Sequence, residues 1–113
     1  MTTALSYAIK YVSDMERAVR FHVEQLGLVL RFQSPHWSEL ETGGTTLALH
    51  PASPEHPAGT CQLGFCVADL TRFHEEAASR GVQFTAPPMA LHGSRIARFL
   101  DSDGAECSVG ESR

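Results

Sequence analysis

The sequence predicts an α+β domain built from two βαβββ modules, and three observations carry that expectation. First, "YVSDMERAVRFHVEQLGLVL" (Tyr11 to Leu30) and "CVADLTRFHEEAASRGVQF" (Cys66 to Phe84) share one order of signals: valine, aspartate, an amphipathic stretch, glycine, an apolar exit. Second, the spacing is kept. Val12 to Val67 and Asp14 to Asp69 are each 55 residues apart, and Gly27 to Gly81 is 54, so the second helix is one residue shorter. Third, Pro51–Gly59 ("PASPEHPAG") holds three prolines in nine residues, a break through which no sheet continues. The expected organisation is one domain over 1–113, with module one at 5–50, a linker at 51–59 and module two at 60–110. Neither half is long enough to bury a sufficient core alone, and two halves share one.

Each element follows from its residues. Ser6–Val12 is rich in aromatic and β-branched residues and reads as a strand. Asp14 stands where an N-cap belongs, and Met15, Ala18, Val19, Val23 and Leu26 form one helical stripe ended by Gly27. "LVLRFQS" and "HWSELET" read as strands, Gly43–Gly44 as a turn and "TTLALH" as a further strand. In the second half "TCQLGFCV" is a strand, Asp69 a cap, Leu70, Phe73 and Ala77 a stripe, and Gly81 a stop. "VQFTA" is then a strand, "PPMALHG" a loop, "SRIARFL" a strand, "DSDG" a tight turn and "AECSV" the last strand.

Composition narrows the function. The chain has 113 residues, 42% hydrophobic and 19% charged, the mix of a folded domain. Net charge is −4 and the only lysine is Lys10, so no basic cluster exists to neutralise phosphates and no nucleic-acid partner is expected. No apolar run approaches the ~20 residues that span a bilayer, and the N-terminus lacks a secretion-signal pattern. Cys61, Cys66 and Cys107 are an odd set without a CxxC pair, which suits free thiols in a reducing cytoplasm.

The ordered set "YVSDMERAVRFHVEQLGL", "ELETGGTTLALHP", "GFCVADL", "RGVQFTAPP" and "RIARFLDSDGAECSV" resembles the vicinal oxygen chelate superfamily, also called the glyoxalase / bleomycin resistance / extradiol dioxygenase family. That resemblance implies sheets curled into an open half-barrel cavity, and homodimers in which the cavity is often completed across the interface. Two positions depart from the family pattern: Phe21–His22 replaces its Phe-Tyr, and Ser102 replaces the proline of its Asp-Pro-Asp-Gly turn.

Metal-dependent members take His, Gln or Glu ligands from four strands. Counting along this chain, those positions fall on Tyr7, on Leu49 or its neighbour His50, on Gln62 and on Ser108. A divalent ion needs roughly three or more suitable donors. Tyr7 would have to lose a proton with an ordinary pKa of about 10, and Ser108 stands where a carboxylate is wanted. His50 and Gln62 are the alternative metal pair, for an ion such as Ni, Zn, Mn or Fe. Strand alternation makes one residue decide whether His50 faces inward. Glu111 is a displaced substitute for the missing carboxylate. Otherwise no cofactor is expected.

Alternation instead puts Tyr7, Ile9 and Tyr11 on one face of the first strand, Gln62 and Cys66 on one face of the fifth, and Ser108 with Glu106 on one face of the last. Trp37 and Phe32 are candidates from the strands between. A pocket of tyrosines, a tryptophan, a glutamine and a serine suits a flat, partly apolar organic ligand. The same aromatics also suit a plain core, Tyr11 and Phe32 above all. Of the other histidines, His50 and His56 read as linker residues and His22 and His74 as helix residues. His36 and His92 sit where a cavity mouth would lie. Three readings remain: a metal-free ligand binder, a metal-dependent lyase, thiol transferase or dioxygenase, and metal-free catalysis by a pocket histidine or by Glu39 or Glu106.

Overall fold

The computed structural model describes residues 3–91 and 93–112. The elements run β1 (Ala4–Val12), α1 (Met15–Arg20, prolonged by a π-helical turn at Phe21–Gln25), β2 (Val29–Phe32), β3 (Ser38–Glu41) and β4 (Thr46–Pro51). They continue as β5 (Cys61–Val67), α2 (Leu70–Ser79), β6 (Phe84–Leu91), β7 (Ser94–Leu100) and β8 (Glu106–Glu111). The order βαβββ therefore occurs twice, in an α+β fold. The chain divides into a compact unit of Ser6–Cys61 and a second from Gln62 onward, with which Ala4 and Leu5 group.

In the first unit the strands lie in the order β2-β3-β4-β1. β1 and β4 are parallel, with Tyr7 opposite Thr46, Ile9 opposite Ala48 and Tyr11 opposite His50. In the second unit the order is β5-β8-β7-β6, with Gly64 opposite Ser108 in the parallel pair and Arg98 opposite Ser108 in the antiparallel one.

Both helices begin the same way because both are capped by aspartate. The Asp14 carboxylate accepts from the Arg17 backbone N–H at 3.0 Å, and that of Asp69 from Arg72 N–H at 3.0 Å. Each cap sits in extended backbone, as an N-cap does, and contributes about 1 kcal/mol. The strands ahead of them end alike too: the Val12 carbonyl accepts from Ala52 N–H and the Val67 carbonyl from Ser112 N–H, both at 2.8 Å.

Each helix buries its stripe on its own sheet. Val12, Val19, Leu40 and Leu49 form the first core, with Met15, Ala18, Val23, Leu28 and Leu47 packed around them. Val67, Leu70, Ala97 and Val109 form the second, with Phe65, Phe73, Phe84 and Phe99, so each module packs a helix-side core of its own where a single shared one was expected. Full burial of such leucines and valines stabilises by roughly 1.5–3 kcal/mol each.

The mismatch between 55 and 54 residues has a structural counterpart. The first helix holds its extra residue as a π turn, in which Leu26 N–H reaches back five residues to the Phe21 carbonyl at 3.2 Å. Gly27 still follows, at φ +76°, a left-handed conformation that glycine takes without penalty.

Three local expectations are corrected. "PPMALHG" is not a loop: β6 continues through Pro87 and Pro88 to Leu91. The register slips between Ala86 and Met89, so the two prolines stand outside the ladder and their missing N–H groups cost nothing. β4 runs on to Pro51, so the linker starts at Ala52 and His50 is a strand residue, not a loop residue. The strands expected at 28–34 and 36–42 are trimmed to β2 and β3, because Ser34 turns the chain, its hydroxyl accepting from the N–H groups of His36 and Trp37.

Candidate functional site

Alternation sorts the first sheet into two faces. Leu40, Leu47 and Leu49 point to the helix, so Thr46, Ala48 and His50 point the other way, with Tyr7, Ile9 and Tyr11 beside them. On this face Ile9, Tyr11 and Ala48 are buried and make a small apolar floor. Aromatic rings stand around it. Trp37 meets Tyr7 edge-on at 5.9 Å and His50 at 6.3 Å. Tyr11 meets His50 edge-on at 5.3 Å and carries the His56 ring stacked on it at 4.4 Å.

Polar groups fix this panel. The Trp37 indole N–H donates to Glu39 at 2.8 Å, and Arg31 reaches Glu39 at 3.5 Å, Glu41 at 3.2 Å and the Thr46 hydroxyl at 3.2 Å. The His50 Nδ1–H donates to the Pro51 carbonyl at 2.8 Å, which fixes that tautomer and leaves Nε2 as the nitrogen offered to a ligand. His50 is itself exposed. Aromatic edges, one imidazole nitrogen and a carboxylate–guanidinium rung suit a planar molecule with polar tips.

The open face of the second sheet carries a row of polar groups. Val67, Ala97 and Val109 point to α2, so Gln62, Cys66, Glu106, Ser108 and Arg98 lie on the opposite side. The Gln62 amide donates to Glu106 at 3.5 Å and the Thr85 hydroxyl donates to its other oxygen at 2.7 Å. Gln62, Cys66 and Ser108 are all half-buried.

The sequence-derived candidates therefore fall into separate groups. Tyr7, Trp37 and His50 are reachable parts of the first face, while Ile9 and Tyr11 serve as its packed floor. Phe32 lies on β2, is 52% exposed and belongs to neither core nor panel. At the fourth-strand position the one-residue choice resolves: Leu49 is fully buried under the helix and His50 faces the other way. Glu111 is excluded as a substitute ligand, since it lies on the helix side, accepting from Leu70 N–H at 3.1 Å and pairing with Arg95 at 3.4 Å. His22 is buried, its Nδ1–H donating to the Ala18 carbonyl at 2.7 Å, and His74 lies edge-on to Phe84. His36 sits in the turn before β3, and His92 lies outside the described residues.

A family-type metal asks for more donors than either face brings together. Among the described residues no three His, Cys, Asp or Glu side chains converge. On the first sheet His50 has rings for neighbours, and Glu39 and Glu41 are turned onto Arg31. On the second, the Glu106 carboxylate accepts from the Gln62 amide and the Thr85 hydroxyl. Neither set reaches the roughly three protein donors a divalent ion takes.

Sequence reasoning missed His56, Arg31, Thr85 and Arg98. His56 stacks because the turn at Ser53–His56, held by paired backbone hydrogen bonds, brings it back over Tyr11. Only a fixed loop path could have revealed that. Arg98 carried a signal, the second of two charges inside the strand pattern of "SRIARFL", and the one on the face opposite Arg95 by strand parity.

Comparison with known proteins places this geometry. Residues 4–109 match the model of the Glyoxalase/Bleomycin resistance protein/Dioxygenase superfamily. A curated relative, the uncharacterized protein YurT of Bacillus subtilis (strain 168), is 30% identical over 111 residues, covering 83% of this chain and 87% of that protein. Among solved structures, the hypothetical protein BH1468 of Bacillus halodurans C-125 superposes with a TM-score of 0.82 at 17% identity, over 100% of this chain and 96% of that one. The methylmalonyl-CoA epimerase of Mycobacterium tuberculosis superposes with a TM-score of 0.74 at 19% identity, over 97% and 88%.

Proposed function

Because the chain belongs to the glyoxalase/bleomycin resistance protein/dioxygenase superfamily, we propose that it is a small-molecule binder that needs no metal, holding a flat, partly apolar organic ligand. The observation that carries this reading is the panel of Tyr7, Trp37, His50 and His56 around the Ile9–Tyr11–Ala48 floor. Rings already set edge-on by a hydrogen-bonded indole are pre-organised, so little ordering entropy opposes stacking. Gln62, Cys66 and Ser108, on the open face of the second sheet, are likewise proposed as ligand-binding groups. The protein works as a homodimer in the cytoplasm on this reading; exposed Val29, Leu30 and Phe32 on β2 and three unpaired cysteines support those two points.

The competing reading is a metal-dependent glyoxalase-type lyase, thiol transferase or dioxygenase using His50 and Gln62. Its support on this chain is the exposed His50, whose Nε2 is left open, and the Glu106 carboxylate that accepts from the Gln62 amide. Calorimetric titration with planar aromatic compounds, beside elemental analysis of protein purified without chelators, separates the two. Binding without metal, weakened about 3- to 10-fold in Trp37→Ala, supports the binder. One tightly held divalent ion per subunit, lost in His50→Ala, overturns it.

A further inference from the structure

We propose that Arg98, with Ser108 beside it, is a carboxylate-receiving position on the open face of the second sheet, and that the ligand is a singly charged carboxylate on an apolar body. The inference rests on the small-molecule reading and goes beyond it by naming the ligand's charge. Among the described residues the other arginines are all engaged. Arg20 pairs with Glu16, Arg31 with Glu39 and Glu41, Arg72 and Arg80 with Glu76, and Arg95 with Glu111, while Arg17 donates to Ser13. Arg98 has no such partner there.

Its position makes that unusual. β7 lies between β8 and β6, and its Ala97 and Phe99 are packed against the helix. Arg98 therefore rises from the middle of the opposite face, where it remains exposed. Ser108, directly across the ladder, presents a hydroxyl with no hydrogen bond among the described residues. Ile96 and Leu100 flank Arg98 on the same face and supply apolar surface. A guanidinium fork beside a hydroxyl matches the two oxygens of a carboxylate. Glu106, two residues along β8 and held by Gln62 and Thr85, keeps a negative charge nearby. That charge disfavours a dianion such as a phosphate monoester and leaves a monoanion acceptable.

The test is calorimetric titration with 2-naphthoate, 2-naphthamide and 2-naphthyl phosphate at low salt. The wild type is expected to bind the carboxylate at least about 10-fold more tightly than the amide, since a hydrogen bond to a charged group is at stake. In R98Q that ratio is expected to fall to about one. R98K, which keeps the charge and loses the fork, is expected to fall between and serves in its place if the neutral variant does not fold. A wild type that binds the amide as tightly as the carboxylate, a ratio preserved in both variants, or tighter binding of the phosphate would each overturn the inference while leaving the binding reading intact. Failure of all three compounds to bind would overturn the binding reading and, with it, the inference.

Discussion

Leu49 and His50 are neighbours on one strand with opposite duties, and exchanging each for alanine measures the face assignment directly. Leu49 is completely buried among Val12, Val19 and Leu40. Its truncation removes three methylene-sized groups from a close-packed site, at a cost of about 3–4 kcal/mol within the range for buried leucines. That is a large share of the 5–15 kcal/mol that holds a typical domain together. His50 is exposed, touches Tyr11 and Trp37 only by ring edges, and donates one hydrogen bond to Pro51. Its loss should cost about 1 kcal/mol or less. Urea unfolding followed by far-ultraviolet circular dichroism reads both, provided the slope m stays constant. Equal costs, or a larger cost at His50, would mean that the pleat is shifted by one residue. The proposed aromatic panel would then face the helix.

Three further outcomes are expected. Burial, helped by the nearby carboxylates of Asp101 and Glu106, raises the Cys107 thiol above its ordinary range. The unfolded chain then gives up this proton first, so stability should be full below the ordinary thiol pKa of about 8.5 and decline as pH rises past it. Urea midpoints from pH 7 to 10 should show that decline, and Cys107→Ala should flatten it. A thiol reagent at pH 8 should label exposed Cys61 first and Cys107 only on unfolding. Light scattering at micromolar concentration should give the mass of a dimer, and Phe32→Glu on the exposed edge strand should shift it toward monomer; a wild-type monomer would refute the dimer.

The parts of the fold that local chemistry dictates were legible in the sequence. Asp14 and Asp69 announce their helices because a carboxylate in extended backbone meets orphan N–H groups wherever it occurs. The alternation of β1 and β5 was readable because a strand's period is two, whatever its neighbours. What needed the third dimension was pairing. Pro87 and Pro88 forbid a strand unless the register slips around them, and only β7 shows that it does. His50 and Leu49 are indistinguishable until one is seen beneath α1. His56, in a proline-rich segment, reads as a solvated loop residue until the turn carries it back to Tyr11. Arg98 is visible as a charge in a strand, but its lack of a partner is a statement about every acid around it.

The π turn of the first helix has a mechanical meaning for how these modules tolerate change. One extra residue advances a regular helix by about 100°, enough to rotate Val23 and everything beyond it off its bearing. Here the surplus is spent as a local widening at Phe21–Gln25, and the chain leaves in phase for β2. The helix thus acts as a slack coil. Length drift is taken up on the outer layer, and the side chains displayed by the sheet keep their address.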